Sequence, residues 1–240
     1  MVCGSYREIR KRKSSKPQKL KTAVIFDLDN TLIDTYGVYR NAKSELTKKI
    51  RKSNGKVGDE NKLIDRIFCQ KFNTCNYDQR ELVAEACRVT HCSRCDIQML
   101  TIQYEAELNK VPQLFEKTKD VLLTLKKRGT NIVLLSEGTK DQKQIILKAH
   151  GLEKIFDFIW FVEHKEQKHF KAVMKTLQEQ GYKYIYCVGD SIKKDIRLGN
   201  SVGAQTIWIP SKWEVGKPDV PANCPKYKIS KIEEILAIIK

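Results

Sequence analysis

The chain reads as an α/β protein, a doubly wound parallel sheet with a helical insertion after its first strand. Three observations predict this. From about residue 113 onward, amphipathic stretches of helical period alternate with short β-branched and aromatic runs, the pattern of βαβ repetition. Residues 37–112 keep the helical period but carry no strand signal. A short apolar run, Ala23-Val24-Ile25-Phe26, stands ahead of that insertion and supplies a first strand. Strands buried by helices on both faces are expected to be continuously apolar, as these runs are.

The elements follow in order. Within the insertion, helices are expected over residues 38–51, 62–72, 79–89 and 97–108. Turn signals at Ser53-Asn54-Gly55 and residues 73–76 separate the first three. Residues 114–128 repeat apolar positions at helical spacing and are closed by Gly129, a usual helix stop. A buried strand over 131–135 follows, then a helix over 139–150 stopped by Gly151 and a strand over 156–162. A helix over 166–180 ends at Gly181, a strand spans 184–188, and a further helix starts after Asp190. The strand 205–209 and a final helix over 231–239 complete the pattern.

Composition narrows the functional classes. Charged residues make up 31% of 240 residues, and no apolar run approaches the ~20 residues that span a bilayer. No membrane association is expected, and the cytoplasm is the expected location, or the nucleus in a eukaryotic host. The net charge of +16 is not evenly spread: in residues 1–20 seven Lys and Arg stand against Glu8 alone, a local net of +6. That segment reads as a mobile basic tail. Its functional reading is contact with nucleic acid or another polyanion, and its plain reading is solubility.

The chemistry is concentrated where strands end. In open parallel sheets ligands bind beyond the carboxyl ends of the strands. The polar groups there are Asp27 and Asp29 after the first strand, Ser136-Glu137-Gly138 after the second, and Gly189-Asp190-Ser191 after the fourth. Carboxylates at i and i+2 leaving a strand point the same way, which sets a nucleophile beside a proton donor. The alternative for each acid taken alone is a solvated turn or a helix start.

Taken together, Asp27-Leu28-Asp29-Asn30-Thr31, Ser136 at the end of an apolar strand, and Gly189-Asp190-Ser191 with Asp195 resemble the ordered motifs of the haloacid dehalogenase (HAD) superfamily across residues 22–240. The resemblance implies a HAD-like Rossmannoid core made of residues 21–36 and 113–240, with residues 37–112 as the helical cap of type I members. It implies a phosphomonoesterase that works through an aspartyl phosphate on Asp27, with Asp29 as general acid and base. It also implies Mg2+ held by Asp27, the Asp29 carbonyl, Asp190 and Asp195. Ser136, the amides of Glu137 and Gly138 at a helix start, and a lysine would hold the phosphoryl oxygens. The all-oxygen donor set suits magnesium, and positive charge is needed before a carboxylate can approach an anionic phosphate.

Lys165 is the expected lysine, at the exit of the third strand, with Lys168 one turn further on as the alternative; the Lys-Pro of many type I members is absent. His164 and His169 read as surface residues. Five of the eight cysteines, Cys69, Cys75, Cys87, Cys92 and Cys95, fall in one 27-residue stretch of the insertion. They read as helix-core thiols, with a structural zinc site as the alternative. The expected substrate is a small phosphorylated molecule. The alternatives are a phosphatase of nucleic-acid ends and a non-catalytic polyanion-binding protein of the same fold.

Overall fold

The run Lys21–Phe26 forms strand β1, and its alternation sends Val24 and Phe26 into one apolar cluster and Ala23 and Ile25 into another. The computed structural model describes residues 21–54, 60–73, 78–212 and 220–240; the basic segment 1–20 lies outside them. β1 is flanked on both sides, parallel to β2 (Asn131–Glu137) and to β4 (Tyr182–Gly189). With β3 (Phe158–Val162), β5 (Gln205–Trp208) and β6 (Tyr227–Lys228), the six parallel strands take the order 3-2-1-4-5-6. The order reverses between β1 and β4, the switch point at which such sheets open a crevice.

Helices cover both faces. α5 (Thr118–Lys127) buries Val121, Leu122 and Leu125 on one, together with the C-terminal turn α9 (Ile235–Ile238). α7 (Gln167–Glu179) buries Phe170, Val173, Met174 and Leu177 on the other. α6 (Lys140–Ala149) and α8 (Arg197–Ser201) complete the crossovers.

Between β1 and β2 the insertion carries four helices among its described residues, α1 (Thr35–Asn54), α2 (Glu60–Asn73), α3 (Gln79–Val89) and α4 (Ile97–Leu108), with turns and loops between them. It has its own core, with Ala42, Leu46, Ile50, Ile64, Leu82, Val83 and Ala86 buried and Tyr104 packed edge-on to Phe68. Each large aliphatic chain fully buried there contributes roughly 1.5–3 kcal/mol to the packing of these helices on one another. Cys87 and Cys92 are part of this core. Cys92 is joined to Cys95 by a disulfide rather than offered as a thiolate to zinc. Cys75 and the side chain of Cys69 lie outside the described residues.

Several boundaries differ from expectation for tertiary reasons. α5 starts at Thr118, not 114, because Leu114 makes an antiparallel bridge with Ile33 and Lys117 turns the chain at φ 64°. α1 starts before Gly37 because its first turn is capped from the loop behind it: Asn30 accepts from the Tyr36 amide and Asp34 from the Gly37 amide, both at 2.8 Å. The segment after Asp190 is a π turn, Ile192–Ile196, which passes into α8. The C-terminal helix shortens to a 3-10 turn plus α9, and β6 is an added edge strand. No helix among the described residues is long and apolar enough to cross a membrane.

Candidate active site

The switch point holds a cavity of about 390 Å³ lined by Asp27, Asp29, Glu137, Lys165, Asp190 and Asp195, among others. Asp27 extends β1 by one residue, its amide donating to the Val188 carbonyl at 2.9 Å, so its side chain leaves the sheet between β1 and β4. The Thr31 hydroxyl donates to Asp27 Oδ2 at 3.2 Å. Asp29 is less buried and has both oxygens engaged, Oδ1 by the Thr35 hydroxyl at 2.6 Å and Oδ2 by the Lys143 ammonium.

Lys165 occupies the centre. Its side chain is 3% exposed, and its ammonium lies 2.5 Å from Asp27 Oδ1 and 2.6 Å from Asp195 Oδ1. Burial alone would favour the neutral amine, but the Asp195 and Asp27 carboxylates outweigh it and hold the group firmly protonated. Lys168, 67% exposed, pairs with Glu166 instead. Lys165 is therefore the lysine that the fold brings to Asp27.

Asp190 follows β4 directly, and its carbonyl accepts from the Trp208 indole at 2.7 Å. The π turn folds Asp195 back, so that its Oδ2 accepts from the Ser191 amide at 3.0 Å. A Cβ at Gly189 would stand 2.3 Å from the Asp195 carboxyl carbon, so this approach needs glycine.

The carboxylates of Asp27, Asp190 and Asp195 lie within 4.8 Å of one another. Burial, with the Asp195 and Asp29 charges added, outweighs Lys165 and raises Asp27 to about 7. Burial and the neighbouring carboxylates raise Asp190 to about 8. One ammonium does not balance three buried acids, and the donors are all oxygen. The set thus fits a hard divalent cation, as expected for Mg2+. Asp195 has its two oxygens engaged by Lys165 and the Ser191 amide, and Asp27 its two by Lys165 and Thr31, so an ion here would share these carboxylates with the bonds they already accept.

Of the two amides expected to hold phosphoryl oxygens at a helix start, neither stands at one, and that of Gly138 is engaged elsewhere. β2 runs through Glu137, Thr139 is the cap residue, and α6 begins only at Lys140. The Gly138 amide is committed to the Val162 carbonyl at 2.8 Å, by the pairing of β2 with β3. The Glu137 side chain turns to accept from the Lys165 amide at 3.0 Å and the Lys194 ammonium at 2.6 Å. Burial would push this carboxyl up, but those bonds hold it below the usual range. Ser136 matches its expected place: it is fully buried at the end of β2, and its hydroxyl is without a hydrogen-bond partner. An unpaired buried hydroxyl costs about 1–3 kcal/mol, so a ligand oxygen is its natural partner.

Sequence reading missed Lys143, Lys194, Thr35 and the hydroxyl of Ser211, which bonds Asp190. Thr31 stands in the same motif four residues after Asp27, and nothing local in the sequence marks its bond to that carboxylate. The two lysines had no local signal among 45 basic residues.

A doubly wound sheet with its acids gathered at the strand ends under a helical cap marks a class of hydrolases. The model described as haloacid dehalogenase-like hydrolase matches residues 24–209, and the chain belongs to this family. It is 26% identical over 235 residues to N-acylneuraminate-9-phosphatase of Rattus norvegicus, covering 91% of this chain and 93% of that protein. The Homo sapiens N-acylneuraminate-9-phosphatase is 25% identical over 242 residues, with the same coverage. The fold is also that of the magnesium-bound HAD-hydrolase YfnB of Bacillus subtilis, with a TM-score of 0.64 and 20% identity over 92% of this chain and 100% of that one. A haloacid dehalogenase-like hydrolase from Xanthomonas campestris aligns with a TM-score of 0.65 and 18% identity, over 92% and 97% of the two chains.

Proposed function

We propose that the chain is a magnesium-dependent phosphomonoester hydrolase. The observation that carries this reading is the Lys165 ammonium held between Asp27 and Asp195, a fixed positive charge at the one carboxylate that leads out of β1 into the cavity. A carboxylate can meet a phosphate dianion only where such charge is already in place. Magnesium at Asp27, Asp190 and the Asp29 carbonyl would add the rest, neutralising phosphoryl oxygens that Lys165 and Ser136 also bind. Asp27 attacks phosphorus, the bond from phosphorus to the leaving oxygen breaks, and Asp29 gives that oxygen its proton. Asp29 then takes a proton from water, whose oxygen attacks the aspartyl phosphate and frees Asp27 and inorganic phosphate.

Turnover of p-nitrophenyl phosphate with magnesium, its loss on chelation, and its loss in Asp27→Asn test the reading. Substantial activity in Asp27→Asn would remove Asp27 as nucleophile. N-acylneuraminate 9-phosphate, taken from the relatives' name, belongs in the first substrate panel beside sugar phosphates and nucleotides. The net charge of +16 favours a second substrate reading, a phosphorylated nucleic-acid end with residues 1–20 as a polyanion contact. Oligonucleotides with terminal phosphates, offered to the full chain and to one lacking residues 1–20, test it.

A further inference from the structure

α6 carries lysines at 140, 143 and 148, and only Lys143 turns inward, with its side chain 12% exposed. Its ammonium pairs with Asp29 Oδ2. The fold makes room for it: at Gly138, with φ +120°, an added Cβ would stand 2.9 Å from the Lys143 Cε. On the far side of Asp29 the cap contributes Thr35, bonded to Oδ1, and one turn along α1 on the same face Tyr39. The Tyr39 hydroxyl holds its proton more tightly than usual, through burial and the Asp29 charge.

Both oxygens of Asp29 are thus taken before a substrate arrives. With Oδ1 held by Thr35, a leaving oxygen meets Asp29 at Oδ2, in the company of the Lys143 ammonium. A neutral leaving group displaces the ammonium from its counter-charge and offers nothing in return, and a cation so little exposed is costly to leave unpaired. A leaving group with its own anion beside the ester oxygen replaces the lost partner.

We propose that Lys143 is a specificity-determining residue that binds a carboxylate on the leaving group, so that the preferred substrates are phosphomonoesters of hydroxy acids. The proposal rests on the reading of Asp29 as the group that meets the leaving oxygen.

The test compares phospholactate with isopropyl phosphate, which has a methyl group where the first has a carboxylate. Binding is measured by calorimetry with saturating magnesium in Asp27→Asn, whose amide keeps an oxygen for the metal but cannot attack phosphorus. Phospholactate should bind at least tenfold more tightly, about the worth of one charge-assisted hydrogen bond. Asp27→Asn/Lys143→Met should lose the preference to within about twofold, and Asp27→Asn/Lys143→Arg should keep part of it. Equal binding of the two esters in Asp27→Asn, or a preference that survives Lys143→Met, overturns the proposal.

In the active enzyme the ratio of kcat/KM between the two esters should fall at least tenfold in Lys143→Met, mainly through KM. A merely structural lysine would lower both esters alike, and that result also overturns it. A Lys143-dependent binding preference without hydrolysis of either ester would uphold the anion subsite and sink the hydrolase reading instead.

Discussion

The Lys165 ammonium lies 2.5 Å from Asp27 Oδ1, although 138 residues separate the two along the chain. The contact is dry, with side-chain exposures of 3% and 7%, so its loss reaches both chemistry and stability. Lys165→Met should lower kcat by on the order of 10²-fold or more. Removing one partner of a buried pair costs about 3–5 kcal/mol, so the melting temperature at pH 8 should drop as well. Lys168→Ala, at an exposed pair, should stay near wild type in both assays. A fully active Lys165→Met would dismiss the lysine from phosphoryl binding.

Metal removal should expose a pH dependence. Asp27 and Asp190 are raised from an ordinary 3.8 to about 7 and about 8. In the metal-free protein their contribution to stability is fully present below about pH 4, where they are protonated folded and unfolded. It is lost as pH rises through 7 and 8. Thermal melts of chelated protein should therefore fall between pH 5 and 8.5, and added magnesium should raise them most at the alkaline end. Asp190→Asn should flatten the profile; an equally steep profile in that variant would refute the assignment.

Ser136→Ala separates ligand binding from folding. The hydroxyl has no protein partner, so its removal should leave the ligand-free melting temperature unchanged or raise it slightly, a change within about 1 kcal/mol. The variant should nevertheless bind inorganic phosphate more weakly and show a raised KM. A clear loss of stability with unchanged KM would assign Ser136 to the fold alone.

Gly189→Ala addresses Asp195. The new Cβ would stand 2.3 Å from the Asp195 carboxyl carbon, and a backbone-anchored methyl cannot be turned aside. Asp195 must then leave Lys165 and the Ser191 amide. Magnesium affinity, read by thermal shift, and kcat should fall together, each by at least tenfold. A variant with wild-type magnesium affinity would show that the π turn absorbs the added atom.

Much of this was legible in the chain itself, because an apolar strand followed at once by Asp27 and Asp29 is a local pattern, and so is Gly189-Asp190-Ser191. Lys165 was legible from its place at the exit of β3. What escaped depended on distant partners. Leu114 has helical spacing with the residues after it, yet Ile33 draws it into a bridge. The Gly138 amide is taken because β2 and β3 pair in one particular register. Lys143 is set by how α6 lies on the sheet, and its one local trace is Gly138, five residues back, a glycine that could as well serve only the turn.

Three bonds join the loop after β1, which carries Asp29, to the first turn of α1: Thr35 to Asp29, the Tyr36 amide to Asn30, and the Gly37 amide to Asp34. The root of the cap and the seat of Asp29 are therefore one mechanical part. A chimera that imports another protein's cap will keep Asp29 aimed only if the graft begins beyond Gly37, and a splice made before Thr35 would exchange the lid and misdirect the acid in one cut.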